Sequence, residues 1–504
     1  MTPIERKHMQ FLKHFILLLT VICSAEAFSK TQAPLLTDFL REFNENPTKV
    51  FNQLPYREGI NAKREINLTK KLSWRKEYFT NKSVNKSLVE YNDQVHALFE
   101  STEDLLLNAY KIDELKLRSG KVKYTPWTGY YWSTQNGLIA NRYNDSWFKG
   151  KWTFKGKLKY TKTRPPAYYI KKRKIEQLSP AEKYELLIGD TNQDFSKSIW
   201  QQGLDEIEKY GNVRDWAGLC HGLALAPAAL PWPRYAIKIK SFDGKHIIKF
   251  YPEDIKALGI YLWSGDQIQS RRTGGRCEKY NPKTDSMGRI IDPDCQDTNP
   301  ATFHLAVINR IGVQKDILIM DNAYDKSVWN FPIINYKFTY FNPITEKKMN
   351  KMTEAMIPVE EFSSDKFKIY RSKGSRYIVG VEARIQYLNF RRPIARDKDP
   401  NTRPPLMSDY YRYDLELDSE GNIIGGEWYF KSHPDFLWLP FENSNPQATF
   451  DYLISGTWNP KESLLPANWA KNAVLSARSG EVSAKIVKVL FKLSHEGTKG
   501  VLPK

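Results

Sequence analysis

The spacing of apolar residues along the chain predicts a helical region first and a strand-rich region later. Between residues 28 and 120, apolar positions recur every three or four residues between charged ones, as on one face of an amphipathic helix. Residues 379–390, 410–417 and 423–430 instead alternate, as half-buried strands do. We therefore expect a helical region at 28–120 and a β-rich domain at 346–445. The helices predicted in the first region are 35–43, 83–106 and 109–117.

The middle of the chain changes pattern several times. Residues 121–175 mix aromatic, basic and turn residues, and we interpret them as a β-rich segment. Ser179, followed by Pro180 and Glu182, has the composition of a helix N-cap with a capping box. The other predicted elements are helices at 196–210 and 252–263, a hairpin of 236–240 with 247–250 around an Asp-Gly turn, and a C-terminal amphipathic helix at 473–493 that packs on the β-rich domain.

One apolar stretch begins with a cysteine and carries the candidate chemistry. Gly218 and Leu219 precede Cys220, and small or apolar residues then run to Pro227, which predicts a buried helix that begins at the cysteine. The unpaired N–H groups of a helix N-terminus lower the pKa of a thiol and can bind an oxyanion. A buried structural cysteine is the alternative interpretation.

A histidine and a carboxylate are predicted to face each other further along the chain. Residues 303–309 and 317–321 have the pattern of two strands joined by a turn around Gly312. If the turn is centred just after Gly312, His304 lies opposite Asp321 on one face, with Cβ atoms about 4.5–5.5 Å apart. A carboxylate so placed orients an imidazole and stabilises its protonated form. A hydrogen-bonded core histidine is the alternative for His304.

The remaining histidines are weaker candidates for a base. His433 lies in a loop that also contains Asp435, and it is the one competitor. On a helix, the side chain of His221 would point about 100° away from that of Cys220. The others lie in helical, turn or tail segments, and they are His96, His246 and His495.

The sequence also gives the net charge of the protein and an indication of where the protein is sent. The 504-residue chain has a formal net charge of +19, and part of the excess lies at 149–174, where basic and aromatic residues alternate. An anionic cell-surface polymer would suit this segment, but a solvated face is the favoured interpretation, and no nucleic-acid-binding motif accompanies it. Residues 1–27 have the basic start, apolar run and Ala-x-Ala site of a signal peptide.

The signal peptide predicts an exported protein, at the cell surface, in the periplasm or outside the cell. No later apolar run is long enough to span a membrane. Without Cys23, the mature chain keeps Cys220, Cys277 and Cys295, and an odd number in an oxidising compartment predicts one disulfide and one free thiol. Cys277 and Cys295 flank a polar loop, so we expect them to form the disulfide and Cys220 to stay free.

Short motifs spread over most of the chain carry a family resemblance. They are PWTGYYW at 126–132, LSPAEKY at 178–184, WAGLCHG at 216–222, DIKAL at 254–258, GGRC at 274–277, NPATFH at 299–304, VWNFP at 328–332, GGEW at 425–428 and DFLW at 435–438. Together they resemble the transglutaminase elicitor family, whose best-known members are secreted cell-wall proteins of plant-pathogenic oomycetes. The chain departs from that pattern at Leu223, where Trp is usual, and at Phe331, where the oomycete proteins have Gln.

The resemblance implies an α+β fold with a papain-like or transglutaminase-like cysteine core at 176–345. Cys220 would be the nucleophile, His304 the general base and Asp321 the residue that orients it. The thiolate would form a thioester with a glutamine carboxamide and pass the acyl group to an amine. Two tryptophans are candidates for binding the oxyanion, and they are Trp216 and Trp200. Region 28–120 would be a pro-segment, and 446–504 a C-terminal linker and helix.

The leading hypothesis is an exported transglutaminase that acts on glutamine- and lysine-containing proteins or on amines. If water resolved the thioester, the same triad would make a cysteine peptidase or deamidase. A catalytically idle surface or adhesion protein is the third hypothesis. The chemistry requires no cofactor, and no metal site is predicted, since the carboxylates between 285 and 297 lack the spacing of a calcium loop.

Overall fold

The computed structural model of this protein describes most of the chain after its first 92 residues. The described residues are 93–497, except 266–267, 269, 276–278, 280, 287–290, 292–296, 324, 401–404 and 431. The chain divides into two units, Met1–Asn85 and Lys86–Lys504, and all described residues belong to the second. The predicted signal peptide, the helix at 35–43 and the Cys277–Cys295 disulfide lie outside the described residues.

Helices come mainly from the two ends of the described chain. In chain order, α1 to α12 are Ala109–Glu114, Ser146–Lys149, Phe154–Thr163, Pro166–Lys171, Pro180–Ile188, Asp194–Tyr210, Cys220–Ala229, Pro252–Leu262, Pro300–Val307, Met352–Ala355, Ala467–Arg478 and Ala484–Glu496. A π-helical turn, Ile308–Val313, continues α9.

Strands within the described residues form one large sheet and one hairpin, with antiparallel pairing throughout. In chain order, β1 to β12 are Ser119–Lys121, Ile237–Lys240, Ile247–Phe250, Ser270–Gly274, Leu318–Asp321, Asn330–Phe341, Lys348–Met349, Ile357–Pro358, Tyr377–Leu388, Leu406–Leu417, Ile423–Gly425 and Phe436–Pro440. The sheet has the order β11-β10-β9-β6-β5-β12-β4, while β1 and β7 pair with β6, and β8 pairs with β9. The mixed helix-and-sheet fold is confirmed.

The sheet separates two apolar cores. Helices α5 to α8, α11 and α12 fill the first core, which Ile319 and Trp438 join from the sheet. The second core contains α1, α9 and much of β6, β9 and β10, together with Leu318, Met320 and Leu437. Because successive side chains of a strand point to opposite faces, neighbouring residues of β5 and β12 enter different cores. The central strands are therefore buried on both sides.

Several predicted elements are confirmed. The hairpin is β2 paired with β3. The capping box at Ser179 begins α5, where the hydroxyl accepts the Glu182 N–H and the Glu182 carboxylate accepts the Ser179 N–H. The helices predicted at 196–210 and 252–263 are α6 and α8, within two residues at each end.

The prediction of a β-rich segment at 121–175 is wrong, because α2, α3 and α4 lie there. Asp145 and Thr153 are N-cap residues, and each accepts hydrogen bonds from N–H groups of the helix that follows. In α3 the buried side chains are Phe154, Lys157 and Tyr160, three residues apart, which is helical spacing. The lysines between them obscured that stripe in the sequence.

The predicted hairpin of 303–309 with 317–321 is also wrong. Residues 303–307 belong to α9, which Asn299 caps by accepting the Ala301 N–H at 2.9 Å, with Pro300 at the first helical position. Strand β5 does form, but it pairs with β6 and β12 instead. His304 therefore has no strand partner, and the register that placed it opposite Asp321 does not exist.

Other boundaries also differ from the sequence predictions. The C-terminal helix is two helices, α11 and α12, separated by Gly480 at φ +70°, and α12 packs on α8 and β2 rather than on the large sheet. Within 83–106 the described helical residues are a 3₁₀ turn, Val95–Leu98. The large sheet contains strands from both sides of the predicted domain boundary at 345/346.

A buried ion pair joins α5 to α8, the helix against which the Cys220 helix packs. The Lys183 ammonium donates to the Asp254 carboxylate at 2.7 Å, and neither side chain is exposed. We expect Asp254→Ala to lower the free energy of unfolding in urea by about 3–5 kcal/mol, because an uncompensated buried ammonium remains.

The control is Glu114→Ala in the Lys111–Glu114 pair, whose two side chains are each 66% exposed. This change should cost less than about 0.5 kcal/mol, because water screens an exposed pair. Equal losses of unfolding free energy in Asp254→Ala and Glu114→Ala would contradict a structural role for the buried pair.

Candidate active site

Cys220 is the first residue of α7, and close packing fixes this end of the helix. The Leu219 N–H donates to the Tyr131 carbonyl at 2.7 Å. A Cβ atom at Gly218 would lie 2.7 Å from the Tyr131 ring, and one at Gly222 would lie 2.3 Å from the Ile260 carbonyl oxygen of α8. The two glycines therefore allow the approach of the chains on either side of the cysteine.

The sulfur is held by groups from the start of β6. Cys220 Sγ lies 3.7 Å from the Val328 carbonyl oxygen, and the Asn330 amide donates from Nδ2 to Sγ at 3.4 Å. Trp438 Nε1 donates to Asn330 Oδ1 at 2.7 Å. Because an indole nitrogen only donates, this bond requires the amide oxygen to face Trp438 and the NH₂ group to face the sulfur.

Asp321 lies on the same face of the sheet as Asn330. The two residues are direct partners in the β5–β6 register, and Phe436 is the partner of Asp321 on β12. Asp321 Oδ1 accepts the backbone N–H groups of Trp329 at 2.8 Å and Ala323 at 3.3 Å. The carboxylate is fully buried and electrostatically coupled to the Cys220 thiol. The structure thus brings Cys220 and Asp321 together.

His304 lies across the sheet from Cys220. Its ring stacks on Phe338 with centroids 4.2 Å apart, and its Nδ1 is hydrogen-bonded to the Tyr413 hydroxyl at 2.8 Å. Both Phe338 and Tyr413 belong to the second core. Burial alone lowers the pKa of His304 to about 3, so the imidazole is neutral. The structure therefore does not join His304 to Cys220 and Asp321.

The two tryptophans proposed for the oxyanion have other contacts. Trp200 is buried in the first core between Phe148 and Phe154, whose ring centroids lie 6.5 and 5.3 Å away. Trp216 is half-buried, with the Arg214 guanidinium 4.4 Å from its ring centroid. Neither tryptophan is among the hydrogen-bond partners that the described residues give to the sulfur.

His433 lies beside a different carboxylate. Its ring stacks on Trp428 with centroids 4.9 Å apart, and its Nε2 is 3.6 Å from an Asp297 oxygen. Burial lowers the pKa of His433 to about 4, while burial raises the pKa of Asp297 to about 8, with the charge of Asp321 contributing. Asp297 therefore interacts with this histidine at close range and with the charge of Asp321.

Burial dominates the acidity of the Cys220 thiol. The residue is only 4% exposed, and burial raises its pKa, while hydrogen bonds from Asn330 and from the His221 N–H act in the opposite direction. A helix N-terminus stabilises an anion by at most about 2 kcal/mol, whereas full burial shifts a pKa by up to about 3–5 units. At this position burial therefore outweighs the lowering of the thiol pKa that was expected from the helix N-terminus.

An aromatic cluster lies near Cys220. Tyr131 contacts Trp329 and Phe390 with ring centroids 5.4 and 5.2 Å apart, and all three side chains are half-buried. Burial, helped by Tyr130 and Cys220, raises the pKa of Tyr131 to about 12, so its hydroxyl stays neutral. These rings form a half-buried aromatic surface beside the segment that leads into Cys220.

The sequence reasoning missed Asn330, Trp438 and Tyr131. Their signal was the position of each in a motif shared with the family, at 328–332, 435–438 and 126–132. Cys220 was correctly singled out, and it is a free cysteine in the structure.

Two features are absent from the part of the chain that the structure describes. No group of three or more His, Cys, Asp or Glu side chains there has the geometry to hold a metal ion. No helix there is long and apolar enough to cross a membrane.

Comparisons with known proteins give one family and one solved structure. The sequence profile of the family described as Transglutaminase elicitor matches residues 205–455. The crystal structure of the GP42 transglutaminase from Phytophthora sojae matches with 20% sequence identity and a TM-score of 0.47, over 80% of this chain and 95% of that one. No curated protein matches the chain.

The pH dependence of Cys220 alkylation tests the Asn330 hydrogen bond. Because burial raises the pKa of the thiol, the iodoacetamide rate should rise with a midpoint above the usual value of about 8.5. Asn330→Leu should move that midpoint higher, since it removes a donor that favours the thiolate. The measurement is mass spectrometry of the Cys220 peptide across pH.

Asn472→Leu is the matched control, because Asn472 is a buried, hydrogen-bonded asparagine on α11. It should leave the midpoint unchanged. An Asn330→Leu midpoint equal to or below that of the unchanged protein would contradict the assignment of Asn330.

The buried neutral state of His304 predicts acid-sensitive stability. Its folded pKa of about 3 lies below the unfolded value of about 6.5, so only the unfolded chain binds the proton between these pH values. Stability should therefore fall as pH falls through this window, by about 1.4 kcal/mol per unit from this residue. In His304→Gln, the free energy of unfolding in urea should therefore fall less steeply as pH is lowered, by that amount per pH unit.

The same variant separates a structural role from a catalytic one. Since the sheet lies between the two residues, His304→Gln should leave the pH midpoint of Cys220 alkylation unchanged. A shifted midpoint would show that the imidazole and the thiol are coupled.

Proposed function

The chain belongs to the transglutaminase elicitor family, and we propose that it is a transglutaminase that uses Cys220 to join glutamine side chains to amines. The observation that carries the proposal is a free thiol at the start of α7, with the Asn330 amide directed at its sulfur. Cys220, Asp321 and Asn330 all lie within the matched residues 205–455. The predicted signal peptide supports action outside the cytoplasm.

The proposed reaction has two acyl-transfer steps. The Cys220 sulfur attacks the carboxamide carbon of a glutamine, a C–S bond forms, and the C–N bond breaks. The amide nitrogen takes the thiol proton and leaves as ammonia. A primary amine then attacks the thioester carbon, the C–S bond breaks, and a proton from the amine returns to the sulfur. The products are a substituted amide, ammonia and the original thiol.

Several groups assist the reaction at Cys220 in this proposal. The Asn330 Nδ2–H group stabilises the thiolate, and Trp438 holds that amide in position. The Asp321 carboxylate, on the same face of the sheet, is the candidate to hold the thiol proton. The backbone N–H groups at the start of α7 are candidates for binding the oxyanion of each tetrahedral intermediate. His304 has no part in this proposed reaction. The proposed site therefore differs from the Cys-His-Asp triad expected from sequence.

His433 is the second candidate for the proton, because it lies beside Asp297, whose carboxyl interacts with Asp321. A path through Asp297 would connect this imidazole to Asp321. Substitution of His433 by Gln distinguishes the two routes: transfer continues if Asp321 acts alone and is lost if the imidazole takes the proton.

Access to the sulfur requires movement of the aromatic cluster. Cys220 is 4% exposed, the Tyr131 carbonyl accepts the N–H of the preceding residue, and the Tyr131 ring contacts Trp329. A substrate glutamine would displace these rings, which would then exclude water from the thioester. In this proposal the apolar surface of the rings favours an amine over water as the acyl acceptor, and it supports a transferase above a peptidase or deamidase.

Incorporation of a fluorescent primary amine into a glutamine-rich protein such as casein tests the proposal. Cys220→Ala should abolish incorporation. Asn330→Leu should lower it by about 10²–10³-fold, the range seen when a donor to a developing anion is removed. His304→Gln should retain activity while the protein stays folded, and Asn472→Leu is the matched control for Asn330.

The other hypotheses predict different results in the same assay. Release of ammonia without amine incorporation would assign a hydrolase. Neither product, from protein whose Cys220 remains alkylatable, would assign a catalytically idle member of the family. Equal incorporation by the unchanged protein and Cys220→Ala would contradict the assigned nucleophile.

A further inference from the structure

The segment from Lys149 to Lys174 forms a basic surface without acidic residues. It contains nine lysines and two arginines and no Asp or Glu, within a chain of net charge +19. Most of these side chains are exposed on α2, α3, α4 and their connections, and we name this set the basic face. The exposed members are Lys149, Lys151, Lys155, Lys159, Lys162, Lys171, Lys172, Arg173 and Lys174.

The charge of the basic face is not neutralised by the rest of the described chain. None of its nine members takes part in an ion pair with a described residue, although the described chain forms many elsewhere, such as Arg142–Glu182 and Arg371–Asp414. The two other cations of the segment are partly withdrawn: Lys157 is buried over Phe148, and Arg164 stacks on Tyr160. The exposed positive charge is therefore available to an anionic partner.

Two tryptophans project from the same surface. Trp147 is 75% exposed and Trp152 is 89% exposed, whereas tryptophan is normally a largely buried side chain. Trp147 lies on α2 and Trp152 in the connection to α3, and they flank Lys149 and Lys151 in the sequence. Exposed tryptophans beside lysines have the composition of a surface that meets a membrane–water interface.

Buried aromatic side chains hold the segment that carries these tryptophans. Phe148 and Phe154, each within two residues of an exposed tryptophan, are buried and pack on Trp200. A Cβ atom at Gly137 would lie 2.3 Å from the Trp200 ring, so a glycine is required for the ring to fit. Trp200, first considered for the oxyanion, thus supports this segment.

N-terminal caps on α2 and α3 also hold this segment in place. The Asp145 carboxylate accepts the Trp147 N–H at 2.9 Å and the Tyr160 hydroxyl at 2.9 Å. The Thr153 hydroxyl accepts the Gly156 N–H at 3.0 Å. The outward direction of the two tryptophans is therefore built into the fold around them.

We propose that the basic face docks the protein on an anionic phospholipid surface, with Trp147 and Trp152 entering the headgroup region. Lysines near such a surface gain from its negative potential, and tryptophan favours the interface because its ring is apolar with one polar N–H. Projecting rings suit a surface into which side chains insert, whereas sugars stack on rings that line a groove. The inference is independent of the proposed acyl transfer.

Sedimentation of the full chain with lipid vesicles tests this docking. Vesicles containing phosphatidylglycerol should bind the protein, pure phosphatidylcholine should not, and high salt should release it. Changing Lys149, Lys151 and Lys155 to Gln should weaken binding on the order of 100-fold, from about fivefold per lysine. Changing Trp147 and Trp152 to Ser should weaken it about tenfold or more and leave the salt dependence in place.

The matched control is the Gln variant of Lys485, Lys488 and Lys492, three exposed lysines of α12. It has the same net charge as the triple variant of the basic face and should bind as the unchanged protein does. Equal losses in both triple variants, or equal binding to both vesicle types, would overturn the proposal. Binding to a soluble anionic polysaccharide but not to the vesicles would also overturn it and assign a glycan partner.

Discussion

The register between β5, β6 and β12 determines which groups meet Cys220. Asp321 pairs with Asn330 on one side and with Phe436 on the other, and Trp438 pairs with Ile319. These pairs place a carboxylate, an amide and an indole on the face that the start of α7 approaches. A shift of one residue would turn all of them toward the second core. Because both faces of these strands are packed, such a shift would also expose buried apolar side chains, and the register is strongly specified.

The acidity of the thiol follows from competition between burial and hydrogen bonding. Burial favours the neutral thiol, while Asn330 and the backbone at the start of α7 favour the thiolate. Burial prevails at rest, so the sulfur is protected from oxidation and alkylation until the site opens. A substrate that displaces the aromatic cluster would also bring a carbonyl to the α7 N-terminus. Under the proposed function, reactivity would then appear when substrate is bound.

Much of the fold was predictable from local signals, and the candidate site was predictable only in part. The capping box at Ser179 and the Asp-Gly turn of β2–β3 carry their own geometry in a few residues. Residues 303–309 are mostly apolar and all buried, and a fully buried helix and a fully buried strand have the same pattern. The decisive signal was Asn299 followed by Pro300, an N-cap and first helical residue. Asn330 could not be assigned from spacing, because its partners Cys220 and Trp438 are each 108 or more positions away.

Separation of His304 from Cys220 by the sheet distinguishes this site most clearly from a Cys-His-Asp triad. NMR of the His304 ring nitrogens, followed as pH is lowered and again after alkylation of Cys220, measures that separation directly. The imidazole should remain neutral until the pH approaches about 3, and its resonances should not change on alkylation. Titration near the ordinary value of about 6.5, or a change of the resonances when Cys220 is alkylated, would contradict the separation.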